Sequence, residues 1–371
     1  MPIELPPDPR ILIVRLSAIG DVICALPALT ALRRHFPRAH ITWLVESTSA
    51  DLLQCHPHLD RVVALPRRRV RRAWRRPWTL PAALLDVWRR MRDCRRDGFD
   101  LVLDFQGNMK SGLFTGLSRG RLRVGHDRRF RKEVLNALFT NVKVHPVPEG
   151  GATHHRVERD LGLVRALGIP AVFEACPLVL PEGVRAEARA FVEALPGRGP
   201  VVILHPGTSA FGAYKRWEPP RFGALADRLV QERGARIAVS FGPGEEALAH
   251  AVLAAMQERA TLFPPPRGLL FLAATLTHAA LAVGSDSGPL QLAGLMGTPT
   301  LTLFGPKDPE MHKPMGARAQ YVWKHVACSP CRQRVCDHVT CMRAMTVEDV
   351  AAPALAMLAR AGDGAAAKTD G

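Results

Sequence analysis

Short runs of apolar residues alternate with helical patterns along most of the chain. The run at 11–14 has four consecutive apolar residues, which is typical of a strand buried on both faces of a parallel sheet. Apolar residues then recur at helical spacing over 25–36, so a helix is predicted there. Strands that alternate with helices predict right-handed crossovers and a parallel sheet. Further strands are predicted at 41–45, 61–65 and 101–105, and further helices at 80–95 and 161–167.

The second half of the chain repeats this alternation after a connecting segment at 171–181. Each predicted strand runs into small or polar residues at its carboxyl end, for example Gly207, Thr208 and Ser209 after the first. The carboxyl ends of parallel strands meet at one edge, where doubly wound domains build a nucleotide site. The predicted strands are 201–204, 236–241, 281–284 and 300–304, with a helix over 220–234.

This organisation predicts an α/β protein of two domains. A chain of 371 residues is long enough for two domains of ordinary size, each with its own core. We expect an N-terminal domain at 1–178 and a C-terminal domain at 179–350, which includes a cysteine-rich segment at 325–345. The remaining residues, 351–371, are expected to form a C-terminal helix and a disordered tail.

The composition favours a globular protein without a membrane span. Hydrophobic residues make up 47% of the chain, yet no apolar run reaches the ~18 residues that cross a bilayer. The first ten residues lack the basic start and apolar stretch of a signal peptide. We therefore expect a cytoplasmic protein.

Basic residues are in excess and unevenly distributed. The formal net charge is +16, and the segment 61–96 alone holds thirteen arginines and two acids. Trp74, Trp78 and Trp88 interleave with these arginines. Tryptophan beside arginine favours an anionic membrane surface, and a solvated helix face is the alternative. Nucleic acid would also suit the charge, but the sequence has no recognition module for it, so we expect none to bind.

A turn at Gly20 and Asp21 follows the first predicted strand. Because ligands of open α/β sheets bind at the carboxyl ends of the strands, the Asp21 carboxylate is a candidate for catalysis. The alternative is that Ser17 or Asp21 only caps the following helix, as such residues often do. Position alone leaves both interpretations open.

Several motifs resemble those of the bacterial heptosyltransferases, which form glycosyltransferase family 9. The residues at 15–22, Arg-Leu-Ser-Ala-Ile-Gly-Asp-Val, resemble the opening motif of the family. The run at 284–293, with the turns at 297–299 and 304–306, is similar to its donor-site signature. Further similar motifs lie at 104–107, 110–111 and 215–217. In this order and spacing the motifs are specific, and they extend over about 10–350.

The resemblance implies a GT-B fold, in which two Rossmann-like parallel-sheet domains face each other across a cleft. It implies an inverting enzyme that transfers heptose from ADP-L-glycero-D-manno-heptose to the inner core of lipopolysaccharide, on a lipid A acceptor bearing Kdo or heptose. Such an enzyme is cytoplasmic, is peripherally associated with the inner membrane, and needs no metal or other cofactor for catalysis.

Two alternatives to this function stay open. One is a related family member that transfers another nucleotide-activated sugar in cell-envelope glycan synthesis. The other is not an enzyme but a basic nucleic-acid-binding protein with a zinc-like tail. The second leaves the polar turns at the strand ends of both halves unexplained.

The acceptor side of an inverting displacement needs a base that takes the proton of the attacking hydroxyl. Asp21 matches the base proposed for the family. Arginine and lysine suit a phosphorylated or carboxylated acceptor, because they bind such anions directly. The expected acceptor contacts are Ser17, Gly20, Lys110, Ser111, Arg131 and Lys132.

The donor side needs N–H groups and a cation for the leaving diphosphate. Lys215 matches the phosphate-contacting lysine of the family. Glu246 aligns with an acid that binds the ribose, or else favours only the dipole of a helix. Asp286 is a ligand contact or a helix cap. Gln291 stands where the family often has histidine, and it can donate a hydrogen bond but carries no charge. The expected donor contacts are Thr208, Ser209, Lys215, Glu246, Asp286, Ser287, Gly288 and Gln291.

Four of the eight cysteines lie close together near the C-terminus, with the spacing C-x2-C-x4-C-x4-C. In a cytosolic protein such density favours a metal site over a disulfide framework, and four thiolates suit structural zinc. The usual two-plus-two spacing of zinc knuckles is absent. Structural zinc, redox-labile or disulfide-bonded cysteines, and free thiols therefore all stay open for Cys328, Cys331, Cys336 and Cys341.

Overall fold

The chain folds into two units, Met1–Val179 and Leu180–Gly371, each built on a parallel sheet. The boundary between them falls inside the segment predicted to connect the two halves. The computed structural model describes residues 4–366 apart from 68, 70, 71, 73–75, 97, 148–154, 175–177, 266, 267, 332 and 334.

The sheet of the first unit has the strand order β3-β2-β1-β4-β5-β6, and every neighbouring pair is parallel. The strand β1 lies at the centre between β2 and β4, which explains why its residues 11–14 are all apolar and buried. The order of the strands reverses at β1, so the end of this strand is a topological switch point, where α/β sheets bind ligands. The strands are β1 Arg10–Val14, β2 His40–Glu46, β3 Arg61–Leu65, β4 Leu101–Asp104, β5 Leu122–His126 and β6 Val142–Val144.

Helices cover both faces of this sheet, as right-handed crossovers on either side of the switch point require. On one face α4 and α5 pack against the sheet, where Met91 and Phe114 join Leu12 and Val14 in the core. On the other face α2 packs against α6. The helices are α1 Ile19–Cys24, α2 Leu26–His35, α3 Ala50–Gln54, α4 Leu80–Arg95, α5 Met109–Leu117 and α6 Arg156–Arg165, with 3-10 turns at Pro77–Thr79 and Val134–Leu138.

The sheet of the second unit has the order β12-β11-β10-β7-β8-β9, again all parallel. Its switch point lies between β7 and β10. The strands are β7 Val201–His205, β8 Arg236–Val239, β9 Ala260–Leu262, β10 Leu281–Ser285, β11 Thr300–Phe304 and β12 Ala319–Trp323.

The C-terminal helix of the second unit packs against the helix that follows β7. Trp217 is fully buried in the same core, and its indole N–H donates to the Met345 carbonyl over 3.0 Å. The helices are α7 Glu182–Glu193, α8 Pro219–Arg233, α9 Glu246–Ala254, α10 Leu269–Leu276, α11 Gly288–Leu295, α12 Pro309–His312, α13 Thr340–Arg343 and α14 Val347–Ala366, with a 3-10 helix at Ala210–Lys215.

Both sheets confirm the predicted α/β class with two Rossmann-like parallel-sheet domains. The helix predicted over 80–95 is α4, and the strand predicted over 61–65 is β3. The strands β5, β6, β9 and β12 were not predicted, because β6 and β9 have three residues each and β5 and β12 carry polar residues. Within the described residues, no helix is both long and apolar enough to cross a bilayer.

Candidate active site

Asp21 lies in the first turn of α1, directly after the switch-point strand β1. Its side chain is only 8% exposed, and three basic side chains surround it. The Lys132 ammonium lies 3.3 Å from Oδ2, the Arg15 guanidinium lies 3.9 Å from Oδ2, and Arg156 pairs with Oδ1. A carboxylate and three cations therefore share one partly open position at the sheet edge.

The charge of Asp21 is fixed by these neighbours. Burial alone would raise the pKa of its carboxyl, but Arg156, Arg15 and Lys132 together hold that pKa far below the usual range. Asp21 is therefore a carboxylate at every physiological pH and can accept a proton or a hydrogen bond.

Arg15 joins this site to the core of the first unit. It is fully buried, donates from Nε to the Asp21 carbonyl over 3.1 Å, and bonds the Phe105 carbonyl at the end of β4. Its Nη2 also lies 3.5 Å from Asp160 of α6. One guanidinium thus fixes the ends of two strands and two helices around Asp21.

The capping interpretation of Ser17 and Asp21 is wrong. The N-cap residue of α1 is Ala18, and no side chain caps this helix. The Asp21 carboxylate points to the basic side chains instead of the free N–H groups of its own helix. Asp21 therefore pairs with basic side chains and does not cap the helix.

A buried polar network holds the turn that follows β1. The Gln106 side-chain oxygen accepts from the Leu16 N–H over 2.7 Å and from the Ser17 N–H over 3.2 Å. Gln106 is in turn positioned by Asp104, whose Oδ1 accepts from the Gln106 and Gly107 N–H groups. The motif at 104–107 therefore supports the Asp21 turn from the adjacent strand.

Ser111 and Lys110 are placed differently from each other. Ser111 is fully buried, donates to Asp104 Oδ2 over 2.9 Å, and forms a capping box with Asn108 at the start of α5. Lys110 is half exposed and pairs with Glu46, the last residue of β2. Ser111 thus supports the turn from inside, whereas Lys110 lies at the surface with its ammonium paired to Glu46.

The loop after β5 supplies Lys132 and Arg131. The Lys132 N–H donates to the Gly107 carbonyl over 2.9 Å, which brings the lysine side chain to Asp21. Gly107 has φ +69°, a conformation that favours glycine, and a side chain there would lie 3.3 Å from the Arg131 backbone. Arg131 therefore lies beside the Gly107 turn. The other expected contact, Gly20, directly precedes Asp21 in α1.

Three charged side chains of this site were not predicted from the sequence. Arg156, Arg159 and Asp160 lie on α6 at positions i, i+3 and i+4, which places them on one face of the helix. The helix was predicted only from residue 161, because Val157 stands alone among charged residues before the apolar positions at 161, 163 and 164. The charged residues at 156–160 were the feature of the sequence that indicated this part of the site. A helix that faces the core rarely places three charges on one face without a partner.

Lys215 and Asp286 meet at the switch point of the second unit. The Lys215 ammonium lies 2.8 Å from Asp286 Oδ2 and 2.7 Å from its carbonyl oxygen. Lys215 ends the 3-10 helix after β7, and Asp286 follows β10 directly. The alternative that Asp286 caps α11 is wrong, because the N-cap residue is Ser287 and its side chain caps nothing.

The strands that carry these two residues approach closely. Gly284 of β10 pairs with His205 of β7, and a Cβ atom on Gly284 would lie 2.5 Å from the His205 carbonyl oxygen. Glycine at this position is therefore required by the strand spacing.

Thr208 shapes the loop between β7 and Lys215. Its hydroxyl donates to the Gly212 carbonyl over 2.8 Å and accepts from Arg216 Nε over 3.1 Å. Ser209, the next residue, is exposed. The loop is thus closed by Thr208 and presents Ser209 to solvent.

The residues at the start of α11 differ in their burial and in their hydrogen bonds. The Ser287 hydroxyl is buried without a hydrogen bond to any described residue, and Gly288 begins the helix. Gln291 is 6% exposed, and its amide donates to the His312 carbonyl over 2.6 Å. Gln291 therefore ties α11 to α12.

Glu245, not Glu246, points towards the strand-end loops. Glu245 Oε2 lies 3.7 Å from His205 Nε2 and accepts from the Gly242 N–H over 3.0 Å. Glu246 is largely exposed in the first turn of α9 and lies 3.8 Å from His250 on its own helix. The sequence pattern could not separate two adjacent glutamates, since only the turn geometry decides which one faces inward.

The buried His205 makes the protein sensitive to acid. Burial lowers the pKa of His205 to about 4, below its value of 6.5 in an unfolded chain. Between these values the unfolded chain binds a proton that the native one does not, so stability falls as the pH falls. From pH 7 to pH 5 we expect His205 to lower the free energy of unfolding by roughly 2 kcal/mol.

The His205→Asn variant tests this expectation. The asparagine amide can replace the His205 Nδ1 in its 3.0 Å hydrogen bond with the Ser240 hydroxyl, but it cannot titrate. Thermal unfolding at the two pH values should show a smaller acid-induced shift in Tm than in the wild type. The exposed His40 on β2 gives the control His40→Asn, which should keep the wild-type shift. An equal shift in His205→Asn would contradict the assignment.

The cysteine-rich segment packs behind the loop that follows β11. The Cys331 N–H donates to the Pro306 carbonyl over 2.8 Å, and Cys341 is buried near Gly305. Burial raises the pKa of the Cys341 thiol, and the thiols of Cys328, Cys331 and Cys336 add to the rise. Within the described residues, no group of three or more His, Cys, Asp or Glu side chains is arranged to hold a metal ion. None of the four cysteines forms a disulfide with another described cysteine, and structural zinc stays a prediction.

Comparison with known proteins decides the family. The sequence profile of glycosyltransferase family 9 (heptosyltransferase) matches residues 87–341. The chain belongs to this family. Its sequence is 32% identical to lipopolysaccharide heptosyltransferase 1 of Pseudomonas aeruginosa over 335 residues, which is 89% of this chain and 88% of the relative.

Solved structures of the family share the architecture. Escherichia coli heptosyltransferase WaaC with ADP has a TM-score of 0.68 and 28% identity, over 84% of this chain and 92% of WaaC. E. coli ADP-heptose lipopolysaccharide heptosyltransferase II has a TM-score of 0.73 and 18% identity, over 95% of this chain and 99% of that one. The predicted family and its GT-B fold of two Rossmann-like domains are confirmed, and the chain is a glycosyltransferase.

Proposed function

We propose that this family 9 glycosyltransferase transfers heptose, with inversion, from ADP-L-glycero-D-manno-heptose to the inner core of lipopolysaccharide. The observation that carries the proposal is Asp21, a buried carboxylate among three cations at the switch point of the first sheet. The relatives support the donor and acceptor classes: one is named a lipopolysaccharide heptosyltransferase, and WaaC has been solved with ADP and with ADP-2-deoxy-2-fluoro heptose.

Asp21 takes the proton of the acceptor hydroxyl in this proposal. Its very low pKa makes it a weak base as long as Arg15, Arg156 and Lys132 neutralise it. An acceptor that carries carboxylates or phosphates competes for those cations, because guanidinium and ammonium groups bind such anions strongly. When Lys132 and Arg156 turn to the acceptor, the pKa of Asp21 rises and the carboxylate becomes a stronger base. Acceptor binding thus activates the base.

The donor diphosphate binds at the switch point of the second unit. Lys215 supplies the positive charge, and the N–H groups at Thr208, Ser209, Ser287 and Gly288 stabilise the charge that develops on the leaving ADP. In this arrangement Lys215 exchanges Asp286 for a phosphate oxygen, and the Asp286 carboxylate then accepts a hydrogen bond from a sugar hydroxyl. Catalysis by these groups requires no metal, because the cations are side chains.

The acceptor is a lipid, so the enzyme works at the cytoplasmic face of the inner membrane as a peripheral protein. The net charge of +16 favours binding to the anionic lipid surface.

Mass spectrometry of the product tests the function. The full chain is incubated with ADP-L-glycero-D-manno-heptose and lipid A that bears Kdo only, Kdo and one heptose, or neither. We expect one heptose to be added to one of the first two acceptors and none to lipid A alone. GDP-mannose and UDP-glucose serve as control donors. Transfer from a control donor in preference to ADP-heptose would favour the related sugar transferase instead, and transfer from none of them would reject the proposal.

A further inference from the structure

Three neighbouring elements on one side of the first sheet expose apolar side chains. The helices α4 and α5 pack side by side on that face, and the 3-10 helix Val134–Leu138 packs against α5. Gly112 and Gly116 of α5 let the Phe139 ring approach to close contact, since a Cβ atom on either would lie within 2.8 Å of the ring. The three elements therefore form one continuous layer.

The outward faces of this layer are apolar. In α4 the residues Ala83, Met91 and Cys94 are buried at helical spacing, so Leu84 and Trp88 point away from the sheet and are about half exposed. In α5 the buried Phe114 and Thr115 leave a second apolar stripe outside. We call the resulting surface the apolar shelf: Leu84, Trp88, Leu113, Leu117, Leu135 and Leu138, with exposures of 38–75%.

The six side chains of the shelf are large and apolar, and three packed elements carry them. Single exposed leucines are normal, but contiguous apolar patches mark sites for a partner or a membrane. Trp78, just before α4, is 77% exposed and extends the shelf at one end.

Basic residues border the shelf. Arg89, Arg92 and Arg96 lie on or just after α4 and are exposed, and Arg92 stacks 5.0 Å above the Trp88 ring. Arg128 and Arg129 are exposed in the loop that precedes the 3-10 helix. The two acids of α4 do not cancel this charge, because Asp86 and Asp93 each pair with arginines that outnumber them.

An apolar centre, a tryptophan and a basic border are the features of a surface that lies in the headgroup region of an anionic bilayer. A second copy of this chain would present the same positive border and be repelled. We propose that the apolar shelf docks the first unit on the surface of an anionic lipid bilayer. The proposal rests on the proposed function only in that the acceptor is itself a lipid.

The shelf adjoins the proposed acceptor site. Lys132, whose ammonium lies 3.3 Å from Asp21, is two residues before the 3-10 helix that carries Leu135 and Leu138. Met109 at the start of α5 is joined to the same loop by a 2.7 Å bond from its N–H to Glu133. Docking would therefore bring the sugar headgroup of a membrane-embedded acceptor to Asp21 without extracting its acyl chains.

Vesicle co-sedimentation of the full chain tests the docking without donor or acceptor. The vesicles contain phosphatidylethanolamine and phosphatidylglycerol, and pure phosphatidylcholine vesicles are the neutral comparison. We expect binding to the anionic vesicles, and a loss of about tenfold in the Leu135→Ser/Leu138→Ser double variant, since two inserted leucines are removed. A second variant, Leu84→Ser/Trp88→Ser, should show a similar loss from the other end of the shelf.

A matched control removes two exposed valines elsewhere in the first unit. Val172 and Val179 are 48% and 60% exposed. The Val179 N–H donates to the carbonyl of Cys55, the residue after α3, which is not part of the shelf. Val172→Ser/Val179→Ser should bind vesicles like the wild type. Each variant is also assayed with a deacylated, water-soluble acceptor, where the shelf variants should keep wild-type activity.

The outcomes separate docking from catalysis. Equal vesicle binding by both shelf variants and the wild type, or wild-type protein that ignores anionic vesicles, would overturn the docking surface. An equal loss in the valine control would do the same, because it would show general destabilisation. Vesicle binding that depends on the shelf, with no transfer to any acceptor, would support the docking and reject only the proposed function.

Discussion

The Asp21→Asn variant should lose sugar transfer by about 10²–10⁴-fold while it keeps the affinity of the wild type for ADP. The amide has the shape of the carboxylate but cannot take the proton of the acceptor hydroxyl. ADP affinity should stay the same because the proposed nucleotide contacts all lie in the second unit. Single-turnover transfer and calorimetric titration with ADP measure the two quantities separately.

Loss of charge at Asp21 also leaves Arg15, Arg156 and Lys132 without their shared anion. Thermal unfolding therefore accompanies the kinetics, and Asp21→Glu provides a variant that keeps the charge and should keep part of the activity. Asp60→Asn is the matched control, because Asp60 is another acid of the first unit that pairs with an arginine, Arg33. Transfer by folded Asp21→Asn at the rate of the wild type would exclude Asp21 as the base.

The Lys215→Met variant should bind ADP about 10–150-fold more weakly, which corresponds to the 1.5–3 kcal/mol of a hydrogen bond to a charged group. Methionine keeps most of the apolar stem of lysine and removes the ammonium that we assign to the diphosphate. Adenosine carries no phosphate, so its affinity should change little. Calorimetry with ADP and with adenosine distinguishes loss of a phosphate contact from general damage to the site.

Lys215→Met also leaves the buried Asp286 without its cation. The double variant Lys215→Met/Asp286→Asn removes that unpaired charge and should bind ADP no more weakly than the single one. Lys324→Met is the control, since Lys324 forms a comparable 2.8 Å pair with Asp349 in the same unit. ADP affinity that is unchanged in Lys215→Met would contradict the phosphate role.

The sequence predicted the centre of each sheet better than its edges. Strands such as β1 and β7 are buried on both faces, so their apolar runs are unbroken and easily recognised. Edge strands such as β6 and β9 have three residues each and partly exposed side chains, so nothing in their pattern separates them from loops. The alternation of strands and helices was then enough to predict that both sheets are parallel.

The candidate site was predicted only in part, because its groups come from distant places in the chain. Asp21 was found through the turn after β1, but Lys132 and Arg156 are separated from it by 111 and 135 residues. No local pattern shows such pairings. Glu245 and Glu246 are adjacent in the chain, and the geometry of one turn decides which of them faces the strand-end loops. The sequence pattern alone does not show this difference.

Gly284 has a consequence for how the donor site can change in evolution. The spacing of β7 and β10 depends on the missing side chain at this position, since any Cβ would meet the His205 carbonyl oxygen. These two strands carry the loops of Lys215 and Asp286, so the separation between the two halves of the proposed donor site is set inside the sheet. Changes in the loop residues alone can then alter the donor preference, while the spacing of β7 and β10 keeps the distance between the two loops constant.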